Sequence, residues 1–435
     1  MHVPEAARKP ALVVLVLLVL AATVVGVLRS RQHVTVVHGL PGSFTGLAFD
    51  ACQTPSQQEM DAWRTASPYS GVGFYVSGDN RACSAQPHLS ADWVATQAGK
   101  GWRLLPITVG RQASCSTLDA TKVADAPQGS YAAARNQGQV EADDAVQAAG
   151  KIGIGTRSVL WLDVEAFDTG STRCRRSMLA YVAGWTRGLH QRHYRSGVYS
   201  SAASGMRMLD GARRSGLGGL PDLVWYADWN GNADTRSPHL AVDGWSGHRR
   251  VHQFLGNRTE TYGGVSLEID ADFMDTGRGS VAPPQGRHCG VPVDLTRYPS
   301  LAANSHGTAV AALQCFLRQQ GFAAPLTRTY DAATTTAVTR LQDRHGLPTT
   351  GAVTRTDWIM LLTGGTTPLL KAGSASDAVR RLQRALVADG LQLPVTGVVG
   401  PRTTRAVQSY QRDVGQEATG VVTPDLWVLL QRGRH

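Results

Sequence analysis

Eight short apolar runs, the first five separated by amphipathic stretches, constrain this chain's fold more tightly than any other feature. The runs occupy residues 44–51, 71–77, 103–109, 158–167, 196–200, 223–229, 250–255 and 265–273. Helical stretches begin near Ser56 and at Ser90, both good N-caps, and others cover about 135–150, 175–192 and 203–213. Continuous apolar strands alternating with amphipathic helices call for a parallel sheet covered by helices. Eight strands within about 230 residues suit a closed barrel better than an open doubly wound sheet. No glycine-rich phosphate fingerprint follows the first run, which counts against nucleotide binding. The last three runs lack helices between them. The expected class is therefore α/β, an irregular TIM-type barrel of five βα units and then three strands.

The run at 158–167, SVLWLDVEAF, turns acidic at its end, with Asp163 and Glu165 two positions apart. Side chains alternate along a strand, so both carboxylates are expected on one face. Two acids at the end of a buried strand are costly unless they are used or paired. Solvation, or bonding to loop amides and arginines, is the other reading, and the run alone leaves both open. Barrel chemistry gathers at the C-terminal strand ends. Acids recur there: Asp50, Asp163, Glu165, Asp228, Asp270 and Asp272. Aromatics accompany them, and ring faces beside acids are what a sugar site needs. Trp161 and Trp225 read as core, whereas Trp229 and Trp245, in Gly/Asn/Asp surroundings, read as exposed. His248 and His252 are four apart in a strand-like run, too far for joint metal ligation, and no metal or cofactor is expected.

Residues 11–28 form an apolar run flanked by Arg8 and Lys9 before it and Arg29 and Arg31 after it. Its length is close to the minimum that spans a bilayer, and its cleavage signals are poor. Residues 1–32 are read as a cytoplasmic tip and transmembrane signal anchor, in preference to a cleaved signal peptide. Six cysteines follow the run and none precedes it. An even count behind an export signal reads as three disulfides in an oxidising compartment, so everything after about residue 33 is expected outside the cytoplasm. Cys52, Cys83, Cys115 and Cys174 each follow a strand end at one rim, which selects the pairs Cys52–Cys83 and Cys115–Cys174. The net charge is +10, and from Cys289 onward 15 Lys+Arg face 9 Asp+Glu. Outside the cell such a basic module suits an anionic wall polymer, and nucleic acid is not the expected partner.

The motifs GLAFDACQTPS, SPYSGVGFYVSG, LDVEAF, SGVYSS, WYADWNG, VHQF and IDADF, in that order, resemble a glycoside-hydrolase-like domain family. That family is similar to the family 25 lysozymes, and the resemblance covers residues 43–276 of a domain read as 43–278. It implies an acid site at Asp50, Asp163, Glu165 and Asp270. Glu165 would be the general acid, its pKa raised by Asp163. Asp163 would orient a substrate N-acetyl group in a substrate-assisted route, and Asp50 and Asp270 would position and bias the pair. Tyr199, Trp229, Gln253 and Asp272 would bind substrate; Asp228 joins them on position alone. The sequence departs from the lysozymes at Ala51-Cys52.

Residues 279–288 form a linker, and beyond it the chain repeats at an offset of 69 residues without a gap. Pro299 matches Pro368, Leu313-Gln314 matches Leu382-Gln383, Gln342 matches Gln411, and Trp358 matches Trp427. In each copy the first helix carries an apolar i, i+3, i+7 face (Val310, Leu313, Leu317; Val379, Leu382, Leu386). Each copy, 289–364 and 365–435, is expected to be a small all-α three-helix bundle. Both closely resemble the peptidoglycan-binding domain of wall hydrolases. Repeat two keeps the G-x-x-G of that family (Gly397, Gly400); repeat one has Arg328 and Asp331 there, so an altered loop is expected. Cys289–Cys315 would staple repeat one's leading segment to its first helix. The expected protein is extracytoplasmic, membrane-anchored or secreted to the wall, and cleaves peptidoglycan or another wall glycan. The alternative is a non-catalytic peptidoglycan-binding or scaffolding protein.

Overall fold

The computed structural model describes residues 34–435. The apolar run 11–28 lies outside them, and among the described residues no helix is long and apolar enough to cross a membrane. Eight strands close a barrel in sequence order: β1 (Phe44–Asp50), β2 (Gly71–Ser77), β3 (Arg103–Val109), β4 (Val159–Asp163), β5 (Arg195–Ser201), β6 (Leu223–Ala227), β7 (Arg249–Tyr262) and β8 (Val265–Thr276). β1 through β7 run parallel, and β8 closes the ring antiparallel to both β7 and β1.

Helices α1 (Gln57–Ala66), α2 (Ala91–Gly99), α3 (Gln128–Lys151), α4 (Thr172–Gln191) and α5 (Arg207–Arg214) belong to the outer layer, α5 following a π-turn at Ala202–Met206. Their starts follow local chemistry. Ser56 forms a capping box with Glu59, and Ser90 and Ser171 accept from Trp93 N and Cys174 N. No helix separates β6 from β7, as the sequence pattern predicts.

Two cores result. One lies between barrel and helices, around Phe49, Trp63, Trp102, Leu162, Tyr181 and Trp185. The other fills the barrel with inward residues of every strand, among them Ala48, Leu105, Trp161, Trp225, Val251 and Met274. Two tryptophans fit inside because glycines face them: a Cβ at Gly197 would lie 2.3 Å from the Trp161 ring, and one at Gly73 would lie 2.9 Å from Trp225. The two indoles meet edge to face at 5.5 Å.

The structure corrects four expectations. β4 stops at Asp163, so Glu165 stands in the following loop rather than one step along the same strand face. β7 and β8 continue past the barrel as a long hairpin, whose tip brings Tyr262 edge-on to Trp63 at 5.1 Å. Trp245 is 4% exposed, its Nε1 donating to Pro221 O at 2.8 Å, rather than solvent-facing. The fourth lies in the C-terminal repeats.

Those repeats comprise α6 (Thr308–Gln319), α7 (Ala332–Arg344), α8 (Arg355–Thr363), α9 (Asp377–Ala388), α10 (Pro401–Asp413) and α11 (Pro424–Gln431). The two copies reproduce each other's contacts. Trp358 and Trp427 each donate to a proline carbonyl (Pro299, Pro368) at 2.8 Å, and Gln314 and Gln383 each donate to a threonine hydroxyl (Thr334, Thr403) at 2.9 Å. The loop expected to differ keeps its backbone, Arg328 taking φ 63° where Gly397 takes 76° and each N–H bonding the equivalent glutamine oxygen, and it differs at the cap, where Asp331 accepts from Thr334 N and Gly400 offers no side chain. The copies also share one core, since α8 is buried nearly all round where α9 packs on it. They form a single six-helix unit, and repeat two seats on the N-terminal end of the barrel, where Lys371 Nζ donates to Arg64 O at 2.9 Å.

Candidate functional site

Strand register assembles the acids. β1 and β8 pair Asp50 with Asp270 and Ala48 with Asp272. β7 and β8 set Gln253 against Asp272, and β4 and β5 set Asp163 against Tyr199. Acids from β1, β4, β8 and the loop after β4 thus share the C-terminal mouth with Gln253 and Tyr199.

Gln253, nearly fully buried, holds that mouth together. Its amide nitrogen donates to Asp50 Oδ2 at 3.0 Å and to Asp270 Oδ2 at 3.2 Å. Its oxygen accepts from Tyr199 OH and from Trp229 Nε1, both at 3.0 Å. All four hydrogen-bonding positions of one side chain are used, tying two acids to two aromatics. Trp229 is 55% exposed and rests on Gly256, where a Cβ would stand 2.1 Å from its ring. Asp270 Oδ1 accepts from Asn257 N at 2.6 Å, which fixes the carboxyl that crosses the mouth. Below them Asp272 is fully buried and accepts from Trp225 Nε1 at 2.8 Å.

Burial raises the pKa of these carboxyls. Asp50 is pushed up to about 7, by desolvation first and the charge of Asp270 second, against the lowering hydrogen bond from Gln253. Asp272 is raised far above the usual carboxylate range by burial and then by the charge of Asp50, and its Oδ2 meets no hydrogen-bond partner. Asp163 is likewise raised well up, by burial and then by Glu165 and Asp50, and its Oδ1 meets no hydrogen-bond partner. Glu165 stands exposed at the mouth by surface area, yet enough protein surrounds its carboxyl to raise it, with Asp270 the next cause. Asp163 and Glu165 repel each other as a pair, and Asp270 adds its charge to Glu165.

A cavity of about 280 Å³ opens beside Asp163 and Glu165, walled by Tyr75, Gln112, Leu118 and the Cys52–Cys83 disulfide. The segment 111–134, an insertion without a sequence assignment, supplies one wall through Gln112, Leu118, Asp119 and Ala120. Gln112 accepts from Glu165 N at 2.8 Å and donates to Asp163 O at 3.2 Å, and Cys115–Cys174 fastens the segment to α4. The remaining pair, Cys289–Cys315, lies in repeat one. Tyr75 and Gln112 were missed by sequence reasoning. Tyr75 was findable, being two steps beyond inward Gly73 on the alternation of β2. Gln112 carries no local signal.

Asp228 is the predicted residue that the mouth uses least. Its N–H and carbonyl bond Gln253 O, Asn230 N and His252, while its carboxyl takes no partner among the described residues. His252 faces the carbonyl oxygens of Asp234 and Asp228 with its two ring nitrogens, and His248 faces Asp275. A larger groove of about 1190 Å³ lies on the outer helices, lined by Arg135, Arg176 and Arg187; it contains no acid and is remote from the mouth.

The family model described as Rv2525c-like, glycoside hydrolase-like domain matches residues 61–274, and a peptidoglycan binding domain model matches twice, at 306–361 and 375–430. Among solved structures, an uncharacterized protein of B. stearothermophilus is 20% identical, covering 53% of this chain and 95% of its own, with a TM-score of 0.36. The Tat-secreted protein Rv2525c of Mycobacterium tuberculosis, in complex with L-tartrate, is 16% identical over 53% of this chain and 95% of its own, with a TM-score of 0.35. The modular autolysin LytC of Streptococcus pneumoniae is 10% identical over 53% and 46%, with a TM-score of 0.31. No curated protein matches the chain.

Proposed function

The chain is an Rv2525c-like, glycoside hydrolase-like barrel carrying two peptidoglycan binding domains, and from that premise we propose that it is a wall-bound glycosidase that cuts the glycan of peptidoglycan. The observation that carries the reading is Asp163: a buried acid with an unpartnered oxygen, beside the raised acid Glu165, on a cavity at the barrel mouth. A buried polar atom without a partner is expensive, and a substrate N–H would supply one.

The two carboxyls titrate as a coupled pair. In the free protein burial raises Asp163 well above the usual carboxylate range. An N-acetyl N–H donated to Asp163 Oδ1 favours its ionised form and leaves the proton on Glu165, where it is needed. Glu165 then protonates the leaving glycosidic oxygen while the acetyl oxygen attacks the anomeric carbon, so one C–O bond forms as the other breaks. Water adds in the second half and returns a proton to Glu165. Asp50 and Asp270, tied through Gln253, bias the charge of the mouth, and the open face of Trp229 stacks a sugar ring.

The helical unit would hold the barrel to the wall and raise its local concentration there. Three disulfides and the wall-type domains support an extracytoplasmic chain. The run 11–28 supports a membrane anchor at its N-terminus. Zymography on peptidoglycan-embedded gels tests the function: a clear band from the wild type that Glu165→Gln abolishes is expected. Wall binding without a band would make the barrel a glycan-recognising scaffold.

A further inference from the structure

Where repeat two seats on the barrel, three cations converge and no carboxylate joins them. Lys371 is 2% exposed, with Nζ on Arg64 O at 2.9 Å and Ser67 O at 3.3 Å and 5.0 Å from the centre of the Trp102 ring. Arg64 lies over the same ring at 5.7 Å and spends its Nε on Lys100 O. Arg103 lies over Phe44 at 5.6 Å. These groups, with Ser43, Ser70 and Arg278, line a cavity of about 320 Å³. Burial lowers the pKa of all three cations; Arg103 adds to the effect on Arg64, and Arg64 to that on Lys371, with no acid offsetting either.

Like charges gathered in a half-buried cleft are unfavourable unless an anion completes them. We propose that this seam is a phosphate-binding site. Arginine forks and an ammonium beside serine hydroxyls match the oxygens of a phosphate group. A bound phosphate would also fasten repeat two to the barrel floor through Lys371. Repeat one has Ala302 at the equivalent position, so only the second copy carries the cation. The close approach is built in: a Cβ at Gly46 would lie 3.0 Å from Ala372 O, and one at Gly373 would lie 2.3 Å from the Phe44 ring. The phosphate could be free in solution or carried by an envelope polymer.

The test titrates the purified full chain with inorganic phosphate, and separately with a poly(glycerol phosphate), at ionic strength held constant with sodium chloride. Calorimetric affinity and Tm are read together. Phosphate is expected to raise Tm above the chloride control, and Arg103→Gln to weaken binding by about tenfold or more, as loss of a charge-assisted contact does. Arg278→Gln, on the exposed rim, should weaken it less and keeps the test decisive if Arg103→Gln does not fold. Arg236→Gln, exposed and paired with Asp234 elsewhere, should change nothing. Tighter binding of the polymer identifies a polymer-borne phosphate; binding of inorganic phosphate alone identifies a solute. No binding beyond the chloride control, or equal affinity in wild type, Arg103→Gln and Arg278→Gln, overturns the proposal.

Discussion

Replacing Asp50 by asparagine should stabilise the protein increasingly as pH rises above about 4, with the full gain at pH 7 and above. Asp50 is buried at the mouth and its carboxyl titrates at about 7 instead of the ordinary 3.8. The folded state therefore keeps a proton that the unfolded chain gives up near pH 4. The stability that goes with this proton is fully present below about pH 4, drains away as pH rises towards 7, and is gone above it. At about 1.4 kcal/mol per tenfold change, the full loss is about 4 kcal/mol at pH 8. Asparagine fits the same contacts: its oxygen can accept from Gln253 Nε2 and its amide can face Asp272. It has no proton to lose, and it relieves the acids around it. We expect Asp50→Asn to raise Tm by roughly 5–10 °C at pH 8, with the difference shrinking to near zero at pH 4. The assay is calorimetry of both proteins across that range at fixed ionic strength. A gap of the same size at every pH, or a variant less stable at pH 8, would refute the electrostatic account. Activity should fall in the same variant, because the strain belongs to the site.

Gly256→Ala should push the Trp229 ring off its seat, since the added Cβ falls 2.1 Å from it; weaker binding of soluble glycan fragments, with the acids untouched, is the expected result of a titration. Gln253→Leu removes the amide that joins Asp50, Asp270, Tyr199 and Trp229; unpaired buried groups should lower Tm by about 5 °C or more, and an unchanged Tm would show that the bridge is not stabilising. Replacing Cys115 and Cys174 together by serine frees the wall that Gln112 builds on Glu165 N; faster hydrogen exchange at 111–126 and at Glu165 is expected, with the barrel core unaffected.

The closed barrel was legible because its strands carry apolar residues on both faces and its helices begin at serine caps such as Ser56 and Ser90. The acids that meet at the mouth could be named because each ends or follows a strand. Their partners were harder to see. That Gln253 uses all four hydrogen-bonding positions depends on β7–β8 register, which no single run encodes. The sequence ends β7 early because its outer half, from Gly256 onward, is polar and largely solvent-facing, so apolar patterning stops where the strand does not. Trp245 reads as exposed for a related reason: its glycine-rich neighbours signal a loop, but the loop folds back and buries the indole. The 69-residue repeat revealed two bundles. It could not reveal their common core, because each helix was read against its own copy while α8 packs on the next one.

The central claim is that the acids at the barrel mouth break glycosidic bonds. Its most direct measurement is the release of new reducing ends from purified peptidoglycan by wild type and Glu165→Gln, with binding to the same wall measured in parallel. The account predicts steady release by the wild type, a fall of about a hundredfold or more in the variant, and equal binding by both. Equal release from the two proteins, or none from a wild type that binds the wall, would contradict it.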